Sequence, residues 1–214
     1  MKLQENKIRA VLFDFGGVIT RSPFEAFNRY EKINNIPTGF IQKVNSNNPD
    51  NNAWAKYERN EITPEVFNEL FFTESKQLGH KINGHDILGL LQMKVRKQMV
   101  DVVKICGKKY ITACLTNNGA SELNDDRQAE QAEIFSLFNY VIESSKLGVR
   151  KPEEQFYSHA CDTIGIKPEE AVFLDDLGIN LKPARQMGMI TIKVEDPKEA
   201  IEQLQTVLGI NLLP

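Results

Sequence analysis

Apolar residues dominate short runs at 10–13, 110–115, 171–174 and 190–194, with a fifth at 138–142. Continuous runs, rather than alternating ones, are how strands read when helices cover both faces of a parallel sheet. Between the later runs the apolar spacing switches to a helical period, at 153–164 and again at 180–187, the latter closed by Gly188. Strand and helix in alternation predict an α/β fold, with a doubly wound, Rossmann-like parallel sheet.

About ninety residues separate the first two runs, far more than one crossover helix needs. Thr63 and Pro64 read as an N-cap and first-turn pair, followed by Val66, Phe67, Leu70 and Phe71 at helical spacing. Val95, Met99, Val102 and Val103 form the face of a helix returning to the sheet, and 45–52 reads as a loop. The pattern predicts a core made of 1–20 and 96–214, with a helical cap inserted over 21–95 beside the open end of the sheet.

Composition narrows the classes. The chain has 214 residues, 41% hydrophobic and 26% charged, with a net charge of −3. The basic residues are scattered, which argues against a nucleic-acid surface. No apolar run approaches the roughly 20 residues that span a bilayer, so no membrane partner is expected. The polar N-terminal stretch lacks a signal-peptide core. Cys106, Cys114 and Cys161 are isolated and odd in number, the mark of free thiols in a reducing, cytoplasmic setting.

Candidate chemistry gathers where the runs end. "VLFDFGGVIT" delivers Asp14 to the end of the first strand, just before Gly16 and Gly17, and "AVFLDDLGIN" ends another strand on Asp175 and Asp176. In open α/β sheets the ligand crevice lies beyond the carboxyl ends of the strands, so these acids meet there. Three carboxylates in one crevice repel unless a cation neutralises them, and magnesium suits an all-oxygen site that faces a phosphate. "ACLTNNGA" places Thr116 and Asn117 at the end of the second strand, where a hydroxyl and backbone N–H groups can hold a phosphoryl oxygen. "KLGVRKPEEQFY" places Lys151 before a helix, as a cation to offset an attacked phosphate and Asp14. Singly, each residue is more commonly a cap, turn former or surface charge; in this order they form a set.

That order of Asp, Thr, Lys and Asp-Asp resembles the four motifs of the haloacid dehalogenase-like hydrolase superfamily across nearly the whole chain. "FLDDLGINLKPARQMGMITIKV", "LTNN", "GVRKPEEQFY", the ending "VLGINLL" and the cap segment "NAWAKYERNEITPEVF" look especially like the N-terminal phosphatase domain of soluble epoxide hydrolases. The resemblance implies Asp14 as a nucleophile forming an aspartyl-phosphate. It implies magnesium held by Asp14, Asp176 and the backbone carbonyl of Gly16, with Asp175 and Asn180 in support. Thr116 and Asn117 would bind the phosphoryl group, and Lys151 would hold its charge. The substrate implied is a small phosphorylated metabolite.

The departure is Gly16. The family's phosphatases carry at this position an aspartate that protonates the leaving group, and glycine cannot. The glycines are expected to allow a tight turn around metal and phosphate. Two other readings stay open at this level: a 2-haloacid dehalogenase, in which halide leaves without protonation, and a non-catalytic module that binds a phosphoryl ligand. Among cap residues, His80, His85, Tyr57 and Glu58 are polar candidates with no readable spacing.

Overall fold

A computed structural model of the chain describes residues 8–91, 94–118 and 125–212. The polar stretch 1–7, and Gly119, Ala120 and Leu213 of the quoted motifs, lie outside the described residues. Five strands, β1 (Ala10–Phe13), β2 (Ile111–Thr116), β3 (Tyr140–Glu143), β4 (Ala171–Asp175) and β5 (Ile190–Lys193), form one sheet in the order β3-β2-β1-β4-β5. Every pairing is parallel. β1 is fully buried, as its four consecutive apolar residues require.

Successive side chains of a strand point to opposite faces, so each strand feeds two cores. Val11, Phe13, Val172 and Leu174 meet one helical layer, containing α6 (Lys97–Cys106), α7 (Asp125–Phe135) and α11 (Pro197–Leu208). Leu12, Ala113, Leu115 and Phe173 meet the other, containing α9 (Glu154–Ile164) and α10 (Gly178–Gln186). The short α8 (Ser144–Leu147) follows β3. The chain runs outward from β1 through β2 to β3, then returns across the sheet to β4. The reversal flanks β1, which puts the crevice of this fold at its carboxyl end.

Strand ends differ from the sequence reading by small amounts. Phe138 and Asn139 precede β3, because Asn139 is used to close a turn: its N–H donates to Thr112 O, and its Oδ1 accepts from Thr112 N at 2.8 Å. Val95 lies before α6, where it bridges antiparallel to Thr20. Arg21 N donates to Lys94 O and Arg96 N to Ile19 O, so the outgoing and returning segments are tied side by side.

Between them lie α1 (Phe24–Ile33), α2 (Phe40–Ser46), α3 (Ala53–Glu58), α4 (Pro64–Gln77) and α5 (Gly84–Gly89), which we call the cap. Thr63 caps α4, with Pro64 in its first turn. The stretch 45–52 is only partly a loop: Asn45 and Ser46 complete α2, and Asn52 caps α3 by accepting from Ala55 N at 2.8 Å. The cap has its own core around Phe27, Ile41, Phe67, Phe71, Ile82 and Ile87. Buried Glu31 is retained because it accepts from the N–H groups of Gly39 (2.7 Å) and Ile41 (2.8 Å).

Phe67 anchors this core, with ring centroids 5.0, 5.4 and 5.8 Å from Tyr57, Phe71 and Trp54. Phe67→Ala is expected to destabilise the protein by about 3–5 kcal/mol, read from urea denaturation. A loss below about 1 kcal/mol would show that the cap does not depend on this cluster.

Candidate active site

Asp14 leaves the end of β1, and its backbone N–H donates to Leu174 O of β4 at 2.8 Å. Its Oδ1 accepts from Phe15 N at 2.7 Å and lies 2.7 Å from Lys151 Nζ, leaving Oδ2 outside these contacts. Lys151 is 1% exposed, a rare burial for an ammonium. All of its donors are directed: to Asp14, to Asp175 Oδ2 at 2.9 Å and to Leu115 O at 2.8 Å. Burial alone would lower its pKa, but Asp14 and Asp175 outweigh that and hold it above the ordinary value.

Asp175 is completely buried and surrounded by donors. Oδ1 accepts from Leu177 N at 2.8 Å, Asn180 Nδ2 lies 3.1 Å from both oxygens, and Lys151 takes Oδ2. Asn180 is itself fixed, its carbonyl accepting from the Tyr157 hydroxyl at 2.6 Å. Asp176 is different. Burial first, then Asp175, pushes its pKa from 3.8 up to about 6, and Lys151 only partly opposes this. Asp14 is also pushed well up, mainly by burial, with Lys151 lowering it and the other two acids raising it.

Asp14, Asp175 and Asp176 offer oxygens within 4.8 Å of one another. Ionising all three would place more negative charge in this largely desolvated cluster than the Lys151 ammonium balances, which together with burial is why Asp14 and Asp176 are pushed up. The oxygens of Asp176 and the free Oδ2 of Asp14 provide hard donors for a divalent cation. The residues present therefore fit magnesium.

The two glycines after Asp14 are not equivalent. Gly17 has φ of +82°, and a Cβ there would run into the Asp176 carboxylate, so both backbone and space require glycine. Gly16 has φ −72° and ψ 127°, conformations open to any residue, and a Cβ there meets nothing within 4 Å. The expectation that both glycines serve the turn is corrected: only Gly17 does.

Thr116 ends β2 and lines the same crevice. Asn117 lines it too, but its side chain is engaged elsewhere. Oδ1 accepts from Lys151 N and Nδ2 donates to Lys151 O, both at 2.9 Å, and Nδ2 also reaches Glu58 Oε2 at 3.1 Å. The Asn117 side-chain amide is therefore committed within the protein. Glu58 and Arg150, the second absent from the sequence reading, form a clamp between cap and core. Glu58 accepts from Arg150 Nε, and its backbone carbonyl accepts from Ser144 Oγ at 2.6 Å. Arg59 adds a 3.2 Å ion pair to Glu153. Arg150 was illegible because an arginine beside the motif lysine gains meaning only from the cap residue opposite. A cavity of about 940 Å³ lies between the clamp, the cap helices and the strand ends.

The model of the haloacid dehalogenase-like hydrolases matches residues 8–188. The chain belongs to that family. This haloacid dehalogenase-like hydrolase is 35% identical over 216 residues to acyl-CoA dehydrogenase family member 10 of Mus musculus, covering 95% of this chain and 19% of the relative. It is 29% identical to bifunctional epoxide hydrolase 2 of the same organism, over 94% of this chain and 39% of that protein. The chain thus spans well under half of these two relatives. A relative of similar length is the sesquiterpene phosphatase astK of Aspergillus oryzae, 23% identical over 94% of this chain and 97% of that one. The fold matches a had family enzyme of Bacteroides thetaiotaomicron solved with magnesium and inorganic phosphate, with TM-score 0.61 and 21% identity over 88% and 96% of the two chains.

The charge of Asp176 yields a pH prediction. Its folded pKa of about 6 exceeds the ordinary 3.8, so the folded protein binds the extra proton between those values. That contribution to stability is complete below about 3.8 and is lost as pH rises through 6. In chelator-treated protein, Asp176→Asn should match wild type near pH 4 and exceed it above pH 6 by about 1–3 kcal/mol in urea denaturation. A difference that shrinks with rising pH would refute carboxylate repulsion here.

Proposed function

We propose that this protein is a magnesium-dependent phosphomonoesterase that acts on a small phosphorylated metabolite through an aspartyl-phosphate on Asp14. The observation that carries the reading is a cluster of three carboxylates with oxygens within 4.8 Å of one another, around a single ammonium whose donors are all engaged. Asp14, Asp176 and the carbonyl of Gly16 would hold the ion, which when bound supplies positive charge to the phosphoryl oxygens. A dehalogenase reading leaves those carboxylates without a cation. Three buried free thiols suit a reducing compartment, and we place the activity in the cytoplasm.

The protein's own groups define the sequence of events. Thr116 Oγ1 and the Asn117 N–H position the phosphoryl group, and Lys151 orients Asp14 and favours its ionised form. Asp14 Oδ1, the oxygen beside Lys151, attacks phosphorus, the ester P–O bond breaks, and the leaving oxygen takes its proton from water, leaving hydroxide. A water then attacks phosphorus, giving its proton to the hydroxide equivalent left by the first step, the bond from the Asp14 oxygen to phosphorus breaks, and inorganic phosphate departs. Asp175, Asn180 and Leu177 N–H keep Lys151 and the acidic turn in register.

Para-nitrophenyl phosphate should be hydrolysed only with magnesium, and Asp14→Asn should retain less than a few per cent of that rate. General acid catalysis is worth about 10²- to 10⁴-fold, so the wild type should be slow on alkyl phosphates and faster as the leaving oxygen becomes less basic. Gly16→Asp has the room to restore the acid. It should raise alkyl phosphate turnover more than that of aryl phosphates, flattening the dependence on leaving-group basicity. Equal, shallow slopes in both proteins would overturn the missing-acid account, and turnover by wild type without magnesium would overturn the metal assignment.

A further inference from the structure

Donors from three parts of the chain converge on the carboxylate of Glu58, the last residue of α3. Oε1 accepts from Trp54 Nε1 at 2.7 Å, within the same helix. Oε2 accepts from Arg150 Nε and, at 3.1 Å, from Asn117 Nδ2, both across the gap between cap and core. The Glu58 and Arg150 side chains are only 10% and 15% exposed, so water is a poor substitute for either partner. Glu58 lines the cavity, but both of its oxygens are already turned to donors of the protein.

The Asn117 amide that reaches Glu58 is also what holds the backbone of Lys151, which lies in a turn outside the strands and helices. Lys151 N–H donates to Asn117 Oδ1, and Lys151 O accepts from Nδ2, both at 2.9 Å. Nδ2 carries two hydrogens, one directed to Lys151 and one to Glu58, so the carboxylate fixes the amide that fixes the lysine. Arg150 provides a second route. It adjoins Lys151 in the chain, and besides meeting Glu58 it donates through Nη1 to Pro49 O, on the cap stretch before α3, at 3.3 Å. The lysine placed in this way lies 2.7 Å from Asp14 Oδ1.

We propose that Glu58 is a positioning residue that acts on Asp14 through Asn117, Arg150 and Lys151, so that one side chain of the cap sets the geometry of the reacting end. The kinetic consequence rests on the phosphomonoesterase reading; Glu58 itself touches none of the reacting atoms. The position requires a carboxylate. Glutamine has one acceptor oxygen, and whichever way its amide turns, the NH2 faces either Trp54 or the pair of Asn117 and Arg150. A shift of about 1 Å in a reacting group can cost about 10²-fold in rate, so a small loss of register at Lys151 is visible in turnover.

Two measurements test this. At saturating magnesium, Glu58→Gln should lower kcat for para-nitrophenyl phosphate roughly tenfold or more and leave KM within about threefold of wild type. Arg150→Gln opens only one of the two routes and should lower kcat by a smaller factor, of about threefold or more. Glu31→Gln is the matched control. It puts the same amide in place of a buried carboxylate that accepts from Gly39 and Ile41 inside the cap, and it should keep kcat within about twofold. The second measurement is independent of activity: a double-mutant cycle of Glu58→Gln and Asp14→Asn, read by urea denaturation. Among the described residues no hydrogen bond or ion pair joins these two side chains, yet the unfolding constants should depart from multiplicative behaviour by about threefold or more.

Wild-type kcat in Glu58→Gln or in Arg150→Gln would overturn the proposal. An equal loss in Glu31→Gln would do the same by showing a general loosening of the cap, and an effect confined to KM would assign Glu58 to ligand contact instead. Failure of the wild type to hydrolyse para-nitrophenyl phosphate with magnesium would overturn the phosphatase reading alone and leave the cycle to decide. Non-multiplicative constants then uphold the positioning role, and multiplicative constants overturn it in either case.

Discussion

The buried ammonium of Lys151 is the interaction on which the site depends. Two carboxylates from different strand ends, Asp14 and Asp175, converge on it, and the Leu115 carbonyl completes its coordination. Desolvating such a charge is tolerated only when every donor is met, and removing one partner of a buried pair typically costs about 3–5 kcal/mol. The sheet topology makes the meeting possible. β1 lies between β2 and β4, so the ends of three neighbouring strands present Asp14, Leu115 with Thr116, and Asp175 to one point. The helix after β4 then fixes what that strand delivered, Asn180 in α10 holding Asp175.

The segment that carries Lys151 is held from the cap as well as from the core. Asn117 grips the Lys151 backbone through paired hydrogen bonds, and the same amide reaches Glu58 on α3. Glu58 also receives Arg150, the residue before Lys151, so a displacement of the cap is transmitted to the lysine through two contacts. The cap is thereby tied to the lysine that pairs with Asp14.

The sheet was legible from sequence because fully buried parallel strands leave continuous apolar runs, and 171–174 marks β4 almost to the residue. The acids, Thr116 and Lys151 were legible because chain order alone places strand ends together. The cap was harder to read. Asn45 and Ser46 look like loop residues by composition, but the helix begun at Phe40 carries them along with it. The double glycine looks symmetrical in sequence, and only the +82° φ and the neighbouring Asp176 show that Gly17 alone is constrained. Asn117 read as a backbone donor for phosphate, and nothing in its local pattern signals that its side-chain amide joins Lys151 to Glu58. Such roles depend on which group lies across a gap between elements far apart in sequence, and no local pattern encodes that.

The cluster and the cap divide the work between charge and shape. On the phosphomonoesterase reading proposed above, the strand ends would treat a phosphoryl group as an anion with fixed geometry, whatever is attached to it, which suits a site built from backbone, carboxylates and one ammonium. Discrimination has to come from the attached group, and only the cap side of the cavity reaches it. In a protein that lacks a side-chain acid at Gly16, contacts remote from phosphorus acquire a second use. Binding energy gained on the leaving group can hold the ester oxygen in line and ordered toward the open space beside Gly16, where water can protonate it. On this account the empty position at Gly16 and the cavity under the cap belong together: the less the reacting end does for the leaving group, the more the cap must select one that departs readily and is held in place.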